Sequence, residues 1–337
     1  MVRRIALLFL AGAATLGAIH LLLALVVPVS WGPAEKEVVI PRGVSFHEIA
    51  RRLKDAGVVR ETTIFRAAAR WKGLDGRIRH GTYAFPARLS ALDVIEYLRQ
   101  GKIIEQKVTI PEGFTSIQIA DLLADRKFFP KEEFLRVVKD PVVIRDLGIP
   151  TDFPSLEGVL FPDTYSIPKG AAPDEVIQML VDRYKRVWAG LREKAKGQGL
   201  SEREFVTLAS IIEKETGAES ERALVSAVFR NRLARRIPLQ SDPTVIYALL
   251  IEGRFNGNLT RRGLQHDSLY NTYRYPGLPP GPIANAGLKS FEAVLSPAKV
   301  DFLYFVSRND GTHHFSKTLR EHNAAVDRYQ RRGEGRG

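Results

Sequence analysis

A run of 23 residues, 5–27, carries no formal charge, and this constrains the chain more than any other feature. At about 1.5 Å per helical residue it spans a hydrocarbon core of roughly 30 Å, so it reads as one transmembrane helix. Arg3 and Arg4 precede it, whereas Glu35, Lys36 and Glu37 beyond it nearly balance. That bias holds the N-terminus in the cytoplasm and puts everything after Pro28 outside. A cleaved secretory signal would carry a shorter apolar core, about 7 to 15 residues, with a small-x-small site behind it. Pro28-Val29-Ser30-Trp31 is a poor site of that kind, and the uncleaved anchor is the expectation. His20, within the span, reads as a tolerated neutral side chain and is assigned no role.

The 337 residues suffice for two or three domains, and 45% hydrophobic with 26% charged residues makes a folded chain. A net charge of +12 favours an anionic partner without choosing among nucleic acid, acidic lipid and acidic polymer. The predicted topology keeps the basic part away from cytoplasmic nucleic acid, which is therefore not expected as a partner. With no cysteine, disulfides, thiolate nucleophiles and Cys-based metal sites are excluded.

Beyond the anchor, one pattern recurs at an offset of 70 positions: Ile40-Pro41-x-Gly43 then Ile49-Ala50-x-x-Leu53, and Ile110-Pro111-x-Gly113 then Ile119-Ala120-x-x-Leu123. Each copy is a β-rich stretch, a Pro-x-Gly turn and a helix with apolar residues three and four apart. Ser45 and Thr115 are suitable N-caps. Residues 62–71 and 92–98 read as helices and 81–86 as a short strand ended by proline. The unit is a small mixed α/β module. Such β-turn-helix units resemble the LysM-like module that binds amino-sugar polymers, and a plain spacer is the other reading.

From Leu156 the texture changes. The segment 156–165 reads as strand and turn, followed by helices over 173–194, 201–216 and 219–234, and by another starting at Asp242-Pro243, with Asp242 as N-cap. Residues 270–282 are rich in proline, glycine and tyrosine and cannot be regular. Residues 302–315 read as a β-hairpin turning at Asn309-Asp310-Gly311, with a last helix over 317–331. The expected class is α+β: a cytoplasmic tip and anchor in 1–35, a LysM-like module in 36–104, a second repeat-like unit and linker in 105–155, and a helix-rich catalytic domain in 156–337.

Several chemistries fail at once: there is no Gly-rich phosphate loop after a strand, no G-x-S-x-G elbow and no pair of histidines at helical zinc spacing. His313 and His314 are adjacent on a strand and point to opposite faces, so they do not serve one metal, and neither metal nor cofactor is expected. Arg230, Arg232, Arg235 and Arg236 cluster near a helix C-terminus, where cations oppose the helix dipole. Carboxylate chemistry remains. In the helix containing Leu208-Ala209-Ser210-Ile211-Ile212-Glu213-Lys214-Glu215, the residues Phe205, Leu208, Ala209 and Ile212 form a buried stripe, with Glu213 and Glu215 on its flanks and Lys214 facing away. A carboxyl at the margin of an apolar face is partly desolvated, stays protonated closer to neutrality and can act as a general acid. Periodicity does not choose between the two glutamates.

The blocks LEGVLFPDTY, ASIIEKET, SERALVSAVFRNRL, LQSDPTVIYAL, YNTYRYPGLPPGPIANAG and HFSKTLREHN, in this order, resemble the endolytic murein transglycosylase (YceG-like) family. The anchor and the repeat fit the same resemblance. It implies a lytic transglycosylase that cleaves the bond from N-acetylmuramic acid to N-acetylglucosamine in nascent glycan strands. The muramic 6-hydroxyl replaces water as the attacking group and leaves a 1,6-anhydro end. One carboxylate can then protonate the leaving oxygen and afterwards take a proton from the hydroxyl, whereas hydrolases generally use two groups. The resemblance makes Glu213 that carboxylate and Glu215 a supporting residue.

It also brings Gln240, Ser241, Asp242, Asn271 and Thr272 to the substrate site, with Asp242 open to a helix-capping role instead. Tyr247, Tyr270, Tyr273 and Tyr275 suit a saccharide cleft or core packing. Glu157 either lines the cleft or pairs with an arginine. The implied location is the bacterial inner membrane, single-pass, with the catalytic domain extracytoplasmic and peptidoglycan synthases as neighbours. A non-catalytic wall-binding scaffold on the same anchor is the alternative.

Overall fold

The computed structural model describes residues 2–331 apart from Trp31, Pro33 and 75–77. Trp31 of the rejected cleavage site and the side chain of Arg3 lie outside the described residues. The protein is a helix-rich α+β chain made of two compact units, Met1–Val108 with Ser166–Ala171, and Thr109–Tyr165 with Ala172–Gly337. Residues 105–155, expected as a separate unit and linker, are shared between these two, most of them in the second.

The first unit opens with α1 (Val2–Val26), which contains one stretch, Leu8–Val26, of mean hydropathy 2.1 that is long and apolar enough to cross a membrane. Leu8, Phe9 and Leu10 on it are exposed. There follow β1 (Val29–Ser30), β2 (Lys36–Ile40), α2 (Phe46–Asp55), α3 (Thr62–Trp71), β3 (Gly81–Phe85), β4 (Arg88–Leu89), α4 (Ala91–Arg99) and β5 (Glu105–Thr109), the last of which ends in the second unit. β2 and β3 are antiparallel, from Lys36 opposite Phe85 to Ile40 opposite Gly81, with α2 and α3 between them in sequence. Their inward side chains, with Leu53, Phe65 and Leu98 from the helices, make one apolar core.

In the second unit lie α5 (Ser116–Asp125), α6 (Lys131–Val138), α7 (Pro141–Asp146), the first residues of β6 (Thr164–Pro168), α8 (Pro173–Lys196), α9 (Glu202–Glu215), α10 (Arg222–Ala234), α11 (Asp242–Ile251), α12 (Leu288–Leu295), β7 (Tyr304–Ser307), β8 (His313–Ser316) and α13 (Leu319–Val326). The repeat is real in three dimensions. α2 and α5 start and end 70 positions apart, Gly43 and Gly113 both hold positive φ (76° and 74°), and Ser45 and Thr115 both cap by accepting the N–H three residues on.

α9 differs from its expected form. Phe205 through Ile212 are all buried, so there is no apolar stripe; the helix is enclosed on every side, packed against α12, α10 and α11. Its two interior hydroxyls are satisfied on its own backbone, Thr207 on the Arg203 carbonyl and Ser210 on that of Thr207, both at 2.7 Å. Phe205 also joins Phe161, Tyr184, Trp188 and Phe291 in an aromatic cluster. A second correction concerns α11, whose N-cap is Ser241; Asp242 is its first helical residue and Pro243 the second. The hairpin forms as expected, β7 antiparallel to β8 with Ser307 opposite His313, and Asn309 and Gly311 supply the positive φ of its turn.

Candidate active site

The C-terminal end of α9 presents Glu213 and Glu215 two residues apart, about 200° around the helix, so they face different surroundings. Glu213 is fully engaged. Its Oε1 meets the Arg222 guanidinium at 3.3 Å, and its Oε2 accepts the Gly287 N–H at 3.1 Å and the Ser290 hydroxyl at 2.7 Å. Only 7% of its side chain is exposed. Glu112 lies against Gly287 where a Cβ would stand, and burial, with the Glu213 charge next, raises its pKa. Lys214, exposed as expected, donates to the Gly113 carbonyl at 3.1 Å. Glu213 thus ties α9 to α10 and to the start of α12.

Glu215 faces a cavity of about 500 Å³ that Arg232, Gln240, Asp242, Tyr273, His313 and His322 also line. Among the described residues its hydrogen-bond partner is the Ser241 hydroxyl, which donates to Oε1. Burial pushes its pKa up to about 7, against the lowering effect of that hydroxyl; the Asp242 charge raises it further and Arg232 lowers it. This is a carboxyl that still carries its proton near neutrality, with open space in front of it.

The wall beside it is built on a constrained backbone. Gln240 has φ 51° and is held by its N–H to the Thr272 carbonyl at 3.1 Å. Arg232, read from the sequence as a cation opposing a helix dipole, instead donates to the backbone carbonyls of Leu303 at 2.6 Å, Pro238 at 3.2 Å and Leu239 at 2.8 Å, and lies 5.1 Å over the Tyr304 ring. Asp242 accepts the Tyr273 hydroxyl at 2.6 Å, and that contact, after burial, helps to raise the Tyr273 pKa.

Of the residues expected from the sequence, Gln240 and Asp242 line the Glu215 cavity, and Ser241 holds the carboxyl itself. Asn271 and Thr272 are buried behind them. Asn271 donates to the Leu264 and His266 carbonyls, and Thr272 Oγ1 accepts the Ser241 N–H at 3.0 Å, which makes both of them supports for the wall. Glu157 and Tyr247 belong to a separate buried knot, in which Glu157 accepts the N–H and hydroxyl of Ser116, the Asn285 amide and, at 3.3 Å, the Tyr247 hydroxyl. Its partners are neutral, not arginine. Sequence reasoning missed His313, His322 and Glu221 in this region, because their proximity is set by the hairpin and by no local pattern. Tyr273 was visible only as one of four tyrosines.

A family model described as the YceG-like family matches residues 38–328. An endolytic murein transglycosylase of Bacillus subtilis (strain 168) is 33% identical over 319 residues, 88% of this chain and 87% of that protein. One of the same name from Streptococcus pneumoniae serotype 2 is 30% identical over 85% of this chain, which spans 57% of that longer relative. The 2.6 Å crystal structure of a yceG-like protein from Listeria monocytogenes superposes with a TM-score of 0.60 at 34% identity, covering 87% of this chain and 99% of that one. On the length and order of this match, the chain belongs to the YceG-like family.

Proposed function

We propose that this protein is a membrane-anchored lytic transglycosylase acting on peptidoglycan glycan strands, and that Glu213 is its catalytic acid and base. The names of its relatives support the reaction class. The observation that carries the assignment is the Glu213 carboxyl at the end of α9, 7% exposed, with Arg222 on one oxygen and the Gly287 N–H and Ser290 hydroxyl on the other. The resemblance points to the same residue, and Glu215, two positions on, lines the neighbouring cavity in a supporting place. Protonated Glu213 would give its hydrogen to the departing glucosamine O4 as the muramic C1–O4 bond breaks and, now ionised, would take the O6 proton as O6 closes on C1 to form the anhydro ring. The Gly287 N–H and the Ser290 hydroxyl fix the carboxyl in place beforehand.

The test uses full-length protein in mild detergent, purified glycan strands and mass spectrometry of the ends. Glu213→Gln should cut anhydro-ended product by at least about a hundredfold, the scale of general acid catalysis. Glu215→Gln of matched folding should retain far more. The reverse ranking would refute the assignment, and soluble-domain binding to sacculi without release of fragments would favour the scaffold reading.

The antiparallel β2–α2–α3–β3 unit supports a LysM-like, glycan-holding role for the first module, which its substitution should reveal as lost sacculus retention. Placement in the inner membrane with the catalytic unit outside, beside peptidoglycan synthases, is part of the same proposal; a C-terminal reporter active only in the cytoplasm would reject it.

A further inference from the structure

Residues 283–287 bring a backbone N–H to Glu213 although they form neither helix nor strand. Such a segment has no ladder of its own, so its course is set by the hydrogen bonds made along it. It is held at both ends by α9. The Ile283 N–H donates to the Ser210 hydroxyl at 3.0 Å, and the Gly287 N–H donates to Glu213 Oε2 at 3.1 Å. Between them stands Asn285, fully buried.

Asn285 uses every polar atom it has. Its N–H donates to the Phe114 carbonyl at 2.9 Å and its carbonyl accepts the Gly113 N–H at 2.8 Å. Its side-chain oxygen accepts the Leu160 N–H at 2.9 Å, and its amide nitrogen donates to the Phe114 carbonyl at 3.0 Å and to Glu157 Oε1 at 2.8 Å. Among these partners Glu157 alone is a side chain; the others are backbone. Glu157 is in turn tied to the start of α5, where the Ser116 N–H reaches its two oxygens at 2.9 and 3.0 Å and the Ser116 hydroxyl reaches Oε2 at 2.7 Å. Two oxygens that only accept serve all these donors at once. The carboxyl is not there to strengthen the fold, since its burial raises the pKa to about 7 and costs stability wherever the group is ionised.

We propose that Glu157 is a positioning residue for the reaction: it fixes Asn285, and through Asn285 the Gly287 N–H that holds Glu213. The proposal rests on Glu213 being the catalytic acid and base. Glu157 touches no sugar. Once its oxygens are removed, the Asn285 amide is free to turn, the 283–287 segment loses its middle anchor, and Glu213 Oε2 is left with the Ser290 hydroxyl. A misplacement of about 1 Å in a reacting group costs about a hundredfold in rate, so little slack is needed. A knot that only packed the interior would lower the melting temperature on removal and leave each folded molecule at full speed.

The experiment compares full-length wild type, Glu157→Leu, Asn285→Ala, the two combined, Glu157→Gln and Glu213→Gln. It measures kcat and KM for anhydro-end formation per folded molecule, well below each melting point. Glu157→Leu, which keeps the bulk and removes both oxygens, and Asn285→Ala should each lower kcat about ten- to a hundredfold with KM within about threefold. The combined variant should lose about as much as the worse single one, because both act through one contact. Glu157→Gln still offers one oxygen to the Asn285 amide and should recover most of the rate. A folded Glu157→Leu or Asn285→Ala protein with kcat within about threefold of wild type, losses that multiply in the combined variant, or a Glu157→Gln no faster than Glu157→Leu would overturn the proposal. Should Glu157→Leu not fold, Asn285→Ala, which leaves the carboxyl on Ser116, carries the test with Glu157→Gln. Full activity in Glu213→Gln would fail the acid and base reading first, and separately.

Discussion

Replacing Glu157 by glutamine isolates the energetics of one buried carboxyl. Glu157 is 1% exposed, and although Ser116, Asn285 and Tyr247 all donate to it, burial wins and raises its pKa from 4.5 to about 7. In the unfolded chain the group returns to its ordinary value. Below about pH 4.5 it is protonated in both states and costs nothing; above about pH 7 it is ionised in both, and the folded state carries the desolvation. Stability therefore falls as pH rises through this window, by about 3 kcal/mol in all at about 1.4 kcal/mol per tenfold change. For a unit of this size that is a melting shift of about 6 to 12 °C.

Glu215 is raised to about 7 as well and titrates over the same range, so the comparison belongs in a Glu215→Gln background. There, thermal melts by circular dichroism in neutral detergent should show the Glu157 protein losing stability between pH 5 and pH 8.5, while Glu157→Gln stays nearly level. The curves should meet at the acid end. Parallel curves would show that the knot holds its carboxyl charged at all these pH values and would refute the reasoning.

Two further outcomes follow from geometry. Because burial raises the neighbouring Glu215 to about 7, the pH profile of kcat/KM should lose a single-proton inflection in that range in Glu215→Gln, and profiles identical to wild type would contradict its supporting role. At Gly158, φ is 87° and an added Cβ would stand 2.5 Å from Pro282 and 2.9 Å from Val206, so Gly158→Ala should cost about 3 kcal/mol from the strained backbone and overpacking together, and denaturation that leaves its midpoint unchanged would count against the packing described.

What the sequence made legible was whatever local rules control. The 70-residue repeat survives to the residue in α2 and α5, because strand, Pro-x-Gly turn and capped helix are all short-range devices. The choice between Glu213 and Glu215 was not legible. Amphipathic reasoning assumes a helix with a wet side, and α9 is buried all round from Phe205 through Ile212, so its periodicity there holds no information about which glutamate meets solvent space. Ser241 and Asp242 exchanged roles by one position, since the serine side chain that could cap α11 is used on Glu215 instead. Glu157 gave no sign of burial, because its partners Ser116 and Asn285 lie 41 and 128 residues away. The approach of Glu221 to His313 spans 92 residues and could only be seen once the hairpin was in place.

The guanidinium of Arg232 joins two stretches of backbone, Pro238–Leu239 and Leu303. A lysine, a single charge on a flexible stem, could not replace this planar fork. Both margins of the groove are thus riveted before any saccharide enters, and binding energy is not consumed in assembling them. The rivet makes the receptacle stiff at the place where a positive charge would grow on a sugar ring, and stiffness there means that the surrounding dipoles need little rearrangement as the bond breaks.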